Sequence, residues 1–112
     1  MNIVEKRPEE MSKKTAYMLT AAPDSKSIKD LEDGTVFTVD AYIKYEDVNG
    51  RGENVSILAL NTEQGVMACQ SQTFKEQFDT IVSIFDLPAT IKKLSGKTNA
   101  GREFITCTYA GE

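Results

Sequence analysis

The chain contains no histidine and no tryptophan. Without an imidazole, general acid–base chemistry falls to carboxylates, and no two of the 17 acidic residues stand at a spacing that marks a catalytic pair. The chain therefore reads as a non-enzyme. Cysteine is scarce too. Cys69 and Cys107 each sit in an apolar run and form no CxxC motif, so they read as buried structural thiols, with no metal and no cofactor expected. No run of 18 apolar residues occurs, which excludes a membrane-spanning helix. The opening Met1-Asn2-Ile3-Val4-Glu5-Lys6-Arg7 lacks the apolar core of a signal peptide. The expected setting is the cytoplasm.

Positive charge is not in excess either: 13 basic residues against 17 acidic ones leave a net charge of −4. That argues against coating a polyanion by bulk charge, although phosphates respond to local basic grooves as well as to the total. The distribution is uneven. Thr90 to Arg102 carries Lys92, Lys93, Lys97 and Arg102 and no acid, while acids collect at Glu5–Glu10, Asp24–Asp33, Glu76 and Asp79.

What the chain does have is a long β-hairpin. A turn at Asp33-Gly34 opens the run Thr35–Tyr45, a polar reversal occupies Val48–Gly52, and a second run follows over Asn54–Leu60. Phe37, Val39, Ala41 and Ile43 share one parity; Thr38, Asp40, Tyr42 and Lys44 share the other. Side chains of a strand alternate between faces, so one face is expected in the core and the other in water. Asn49-Gly50 is the reversal signal, because it tolerates positive φ. Strict alternation sends Tyr45 to the core face, from which only a bulge or an opened barrel edge would release it.

The rest of the chain falls into place around the hairpin. Residues 1–14 are charged, contain Pro8 and show no clean period, and are expected as a mobile N-terminal arm. Ala16–Thr20 reads as a short extra strand closed by Ala22-Pro23-Asp24, and Ser27–Leu31 as one helical turn. After the hairpin come a reversal at Thr62–Gly65 and a strand over Val66–Gln70. Phe74, Phe78, Ile81, Val82 and Phe85 recur at helical spacing, with Thr73 and Glu76 as a capping box and Pro88 as a stop. Strands are expected over Ala89–Ser95 and Arg102–Tyr109, joined by the basic loop Gly96–Gly101. Five strands with a helix between the third and fourth is the order of an OB-fold barrel, whose strand 1–2 and 4–5 loops flank a ligand face. The predicted fold is thus all-β with one helix, and residues 15–112 are its single domain.

Ser95-Gly96-Lys97-Thr98 resembles the end of a phosphate-binding loop. The motif needs a glycine where Ile91 stands, and the match lies between strands instead of opening a helix, so it is discarded. Single-strand nucleic-acid binding fits better. It needs a basic groove for phosphates and aromatic faces for bases, each stacked base contributing about 1–3 kcal/mol. Lys44, Arg51, Lys92, Lys93, Lys97 and Arg102 are the basic candidates. Tyr42 and Tyr45 are the aromatic ones, with Tyr17 and Tyr109 outside candidates.

Tyr45, with Ile28–Thr35, the strand Val55–Ala59, Gly65, Ser71, Thr73, the helix to Phe85, Gly96–Gly101 and Phe104, gives a pattern of scattered identities. Over Ile28 to Thr108 the chain resembles the single-stranded DNA-binding proteins of Bacillus phages that replicate linear genomes by protein priming. The resemblance implies an OB-like fold that binds and protects single-stranded DNA during phage replication, in the host cytoplasm, without sequence preference. It also implies stacking tyrosines, of which the position matching Tyr45 is kept. Met67 stands where the family has an aromatic residue, no tyrosine lies in the 46–53 loop, and no acidic tail for recruiting partners is found. Self-association along the strand, through edges near Val66 or Phe104, is a further expectation. RNA binding would use the same surface. The alternative from another class is an acidic OB-like adaptor or inhibitor that docks on a replication enzyme.

Overall fold

A computed structural model describes residues 1–21 and 24–111; the expected turn at Ala22-Pro23 lies outside them. The N-terminal stretch, expected as an arm, is folded. Asn2–Arg7 forms β1, antiparallel to the long hairpin strand, with Ile3 opposite Tyr45 and Arg7 opposite Tyr42. Lys13–Ala21 forms a helix, α1, in place of the expected strand at Ala16–Thr20. Five residues are too few to fix a period. The start signal is Ser12, whose Oγ accepts the Thr15 N–H at 3.1 Å. Lys26–Ser27 forms β2, and a 3-10 turn over Ile28–Asp30 follows, where one helical turn is expected.

The long hairpin consists of β3, Val36–Val48, and β4, Asn54–Thr62. Then come β5 (Gly65–Cys69), the helix α2 (Gln72–Phe85), β6 (Ala89–Lys97) and β7 (Glu103–Tyr109). The strands form one sheet in the order β2-β5-β4-β3-β6-β7, with β1 added to β3. One side of β3 serves two neighbours in succession: Val36–Val39 pair with β6, and Tyr42–Glu46 pair with β1. The sheet curls into a half-barrel, mostly β with two helices. It is open in the described residues, since β5 pairs with β2 on its outer edge and β7 pairs only with β6.

The register of β3 holds the main departure from the sequence pattern. Val39 faces Thr62, but Ala41 faces Asn61, so Asp40 is one residue too many on β3 and the strand bulges there. The bulge inverts the parity of everything after it. Phe37 and Val39 point into the barrel, and beyond the bulge Tyr42 joins them, together with Leu58, Leu60, Met67, Cys69 and the α2 residues Phe74, Phe78 and Ile81. Ala41, Ile43 and Tyr45 point outward instead, and with Ala59 they form a second cluster covered by Met11 and Leu19. Thus α1 occupies the outer face of β3 and β4.

Helix α2 caps the barrel. Its N-cap is Ser71, not Thr73: the Ser71 Oγ accepts the Phe74 N–H at 3.2 Å and donates to the Ile105 carbonyl at 3.2 Å. One hydroxyl therefore starts the helix and pins it to β7. Such a cap contributes about 1 kcal/mol. Phe74 and Phe78 are fully buried, and Phe78 meets Tyr42 edge to face at 5.0 Å. Phe85, expected on the buried stripe, is 46% exposed and stacks flat on Tyr109 at 3.7 Å.

The two long hairpin loops share one design. In the first, the Asn49 N–H bonds the Glu53 carbonyl and the Gly52 N–H bonds the Asn49 carbonyl; in the second, Thr98 pairs with Arg102 and Gly101 with Thr98 in the same way. The left-handed residue is the fourth of each turn, Gly52 (φ 79°) and Gly101 (φ 82°). Gly50 does not take positive φ, so the Asn-Gly reversal is a type I turn followed by a left-handed glycine. Gly52→Ala is accordingly expected to destabilise the protein by about 1–2 kcal/mol, and Gly50→Ala to stay within about 0.5 kcal/mol of the parent. Urea unfolding of the two variants checks this; equal midpoints would be inconsistent with the turn register.

Candidate nucleic-acid interface

Where the half-barrel fails to close, a cleft of about 1140 Å³ opens. One wall is Ser25–Ser27, Lys29 and Asp30, and the opposite wall is the hairpin end Ser95–Lys97 with Glu103–Ile105. Between them the lining includes Tyr45 of β3, Ile57 of β4 and Ala68–Ser71 from β5 onward. Three lysines (Lys26, Lys29, Lys97) and two acids (Asp30, Glu103) share this lining, so its local balance is positive although the chain's is not. Phe104 lies directly opposite Gly96 across the β6–β7 pair. Its ring sits where a glycine side chain would begin: a Cβ at Gly96 would come within 2.6 Å of the ring.

The eight expected site residues separate into distinct environments. Lys97 is exposed and lines the cleft, and Tyr45 lines it too while being only 7% exposed. The bulge resolves the parity question for Tyr45 by carrying it off the barrel interior. Burial first, and then the Asp47 carboxylate, push the Tyr45 hydroxyl pKa up, so it stays a neutral ring. Arg51 and Arg102 are exposed in the two hairpin loops. Lys92 is half-buried on the outer parity of β6, opposite Val36 and Thr108, and is not part of the cleft lining.

Three candidates are engaged by partners within the fold and lie outside the cleft lining. Tyr42 is 3% exposed, packed against Phe78, with its hydroxyl donating to Glu5 at 2.7 Å. Its ring is packed away from the cleft, and burial together with the Glu5 bond raises its pKa. Lys44 shares the inward parity and is held by Asp79 at 2.6 Å and Glu5 at 3.4 Å. Its charge is spent on carboxylates. Lys93 is 3% exposed and bound to Asp33 at 3.0 Å, to the Leu31 carbonyl and to Ser95. In each case the reason is a fold feature that alternation alone does not encode: the bulge for Tyr42 and Lys44, a long-range acid partner for Lys93.

Reasoning from the sequence also passed over Lys26, Lys29 and Phe104. The first two lie within the acid-rich stretch Asp24–Asp33 and look solvated in isolation. Phe104 carried a usable signal, since an aromatic residue paired across a hairpin from a glycine covers it. Both thiols are buried in the core, their pKa values pushed up by burial, Cys69 to about 11 and Cys107 to about 12. They are inert. Among the described residues no acid, histidine and cysteine cluster suited to a metal occurs, and no helix is long and apolar enough to cross a membrane.

No protein-family model, no curated protein and no solved structure matches the chain. The chemistry of the cleft is therefore read from its own side chains.

Away from the cleft, Glu5 ties β1 to the barrel through Tyr42 and Lys44, and Lys44 passes the connection to Asp79 on α2. Burial pushes the Glu5 carboxyl up, but the Tyr42 hydroxyl and the Lys44 ammonium outweigh it and hold the pKa below the usual range. A depressed carboxylate pKa stabilises the fold above the unfolded-state value and ceases to do so as pH falls through the folded one. Acidification below about pH 4 is expected to raise hydrogen exchange in β1 ahead of the core strands. Glu5→Gln should remove that acid-dependent step, and its persistence in the variant would show another group to be responsible.

Proposed function

We propose that this chain binds single-stranded DNA without sequence preference, protecting displaced strands during phage replication, and that β3–β7 with α2 form an OB-type barrel. The single observation that carries this reading is the cleft: two aromatic residues and three lysines line one open groove. Single-strand binders need this pair of features together, a cationic track for the backbone and π-faces for bases. Phe104, half-buried over Gly96, offers the more accessible ring, and Tyr45 forms the wall beside it. Lys26, Lys29 and Lys97 neutralise phosphates, with Arg51 and Arg102 on the flanking loops. The connection from the third barrel strand to α2 and the two hairpin loops stand in the order an OB-fold uses around its ligand. The resemblance to the phage single-strand binders points the same way.

A docking role has one observation in its favour. On α1, Tyr17 is 68% and Met18 is 49% exposed, an apolar pair that a protein partner would cover. Binding of oligonucleotides separates the two roles, because an adaptor has no affinity for them.

Intrinsic tyrosine fluorescence reads the interaction, since the chain has four tyrosines and no tryptophan. Titration with a dT oligomer is expected to quench it, more weakly as salt rises, with duplex DNA inactive and RNA as a comparison. Phe104→Ala should lower affinity by about 1–3 kcal/mol, and Lys97→Met should flatten the salt dependence by about one unit of slope. Tyr42→Phe should leave affinity unchanged. A folded protein that binds no oligomer at low salt would overturn the proposal in favour of docking.

A further inference from the structure

Lys93 is the least expected residue of the cleft's surroundings: a lysine 3% exposed in the middle of β6. Its ammonium has three donors, and the structure supplies three acceptors: the Leu31 carbonyl at 2.7 Å, the Asp33 carboxylate at 3.0 Å and the Ser95 hydroxyl at 3.1 Å. Ser95 in turn donates to the same Asp33 oxygen at 2.6 Å. The backbones are joined at the same place, with the Lys93 N–H on the Thr35 carbonyl and the Gly34 N–H on the Lys93 carbonyl.

The acceptors come from both sides of the cleft. Leu31 directly follows Lys29 and Asp30 of one wall, and Ser95 opens the other wall, two residues before Lys97. A packed apolar residue could replace a buried ion pair at little loss of stability, but it could not bond to both walls at once. We infer that Lys93 is a positioning residue that sets the separation of the two walls, through Asp33 and Ser95. This rests in part on the nucleic-acid reading of the cleft, since a fixed width matters when lysines on opposite walls must meet one strand together.

The test uses the full chain carrying Cys69→Ala and Cys107→Ala, so that spin labels attach only to cysteines placed at Lys29 and Lys97. Pulsed dipolar spectroscopy should give a narrow wall-to-wall distance distribution in the parent and a broadened or shifted one in Lys93→Met. In unlabelled protein, Lys93→Met should weaken dT-oligomer binding roughly tenfold through lost preorganisation, with the salt slope unchanged. A phosphate contact would instead lower that slope by about one. An unaltered distance distribution in folded Lys93→Met overturns the inference, as does a reduced slope. If that variant does not fold, Asp33→Asn, at an exposed carboxylate, carries the same distance measurement. Failure of the parent to bind the oligomer sinks the nucleic-acid reading alone, and the distances still decide what Lys93 does.

Discussion

Beyond Val39, strand β3 carries one more residue than the strand it pairs with, and a structure of period two absorbs that excess only by turning over. All that lies downstream depends on this. Without the bulge, Tyr42 and Lys44 would face out and Ile43 and Tyr45 would face in. With it, Tyr42 completes the packing under α2, Lys44 finds the carboxylates of Glu5 and Asp79, and Tyr45 is carried to the edge of the cleft. The polar neighbours of the bulge are satisfied locally, Asn61 donating to Asp40 at 2.8 Å.

The inversion creates a second apolar face on the outside of the barrel, and the N-terminal segment answers it. Met11 and Leu19 cover Ala41, Ile43 and Ala59, while β1 takes the free side of β3 beyond the end of β6. The segment is thus part of the fold's solvent exclusion on one side and of its hydrogen-bonded sheet on the other. What remains open is the seam between β5 and β7, pinned at one end by Ser71 and spanned at the other by Lys93 and Asp33.

Much of the architecture was legible in the sequence, because it rests on local signals. The hairpin β3–β4, the reversal before Gly65, the helical spacing of Phe74, Phe78 and Ile81, and the β6–β7 pair were all readable from alternation, period and turn residues. The N-terminus was not legible, since Ile3 and Val4 become a strand only because β3 offers an edge, and Ala16–Thr20 is helical under the Ser12 cap. The candidate site was half legible. Tyr45 and Lys97 line the cleft, whereas Tyr42, Lys44 and Lys93 are engaged by partners 30 or more residues distant in sequence. A charge pattern records how many lysines there are, not which of them have already met an acid.

Phe104 and Gly96 illustrate what a small residue can do for a large one. The ring occupies the volume that any other side chain at Gly96 would claim, so its rotamer is chosen by the strand opposite before any ligand approaches. Ordering a free side chain at an interface costs about 0.5–1.5 kcal/mol. Here part of that entropy would be surrendered during folding, so a ligand that settled on the ring would have less of it left to order.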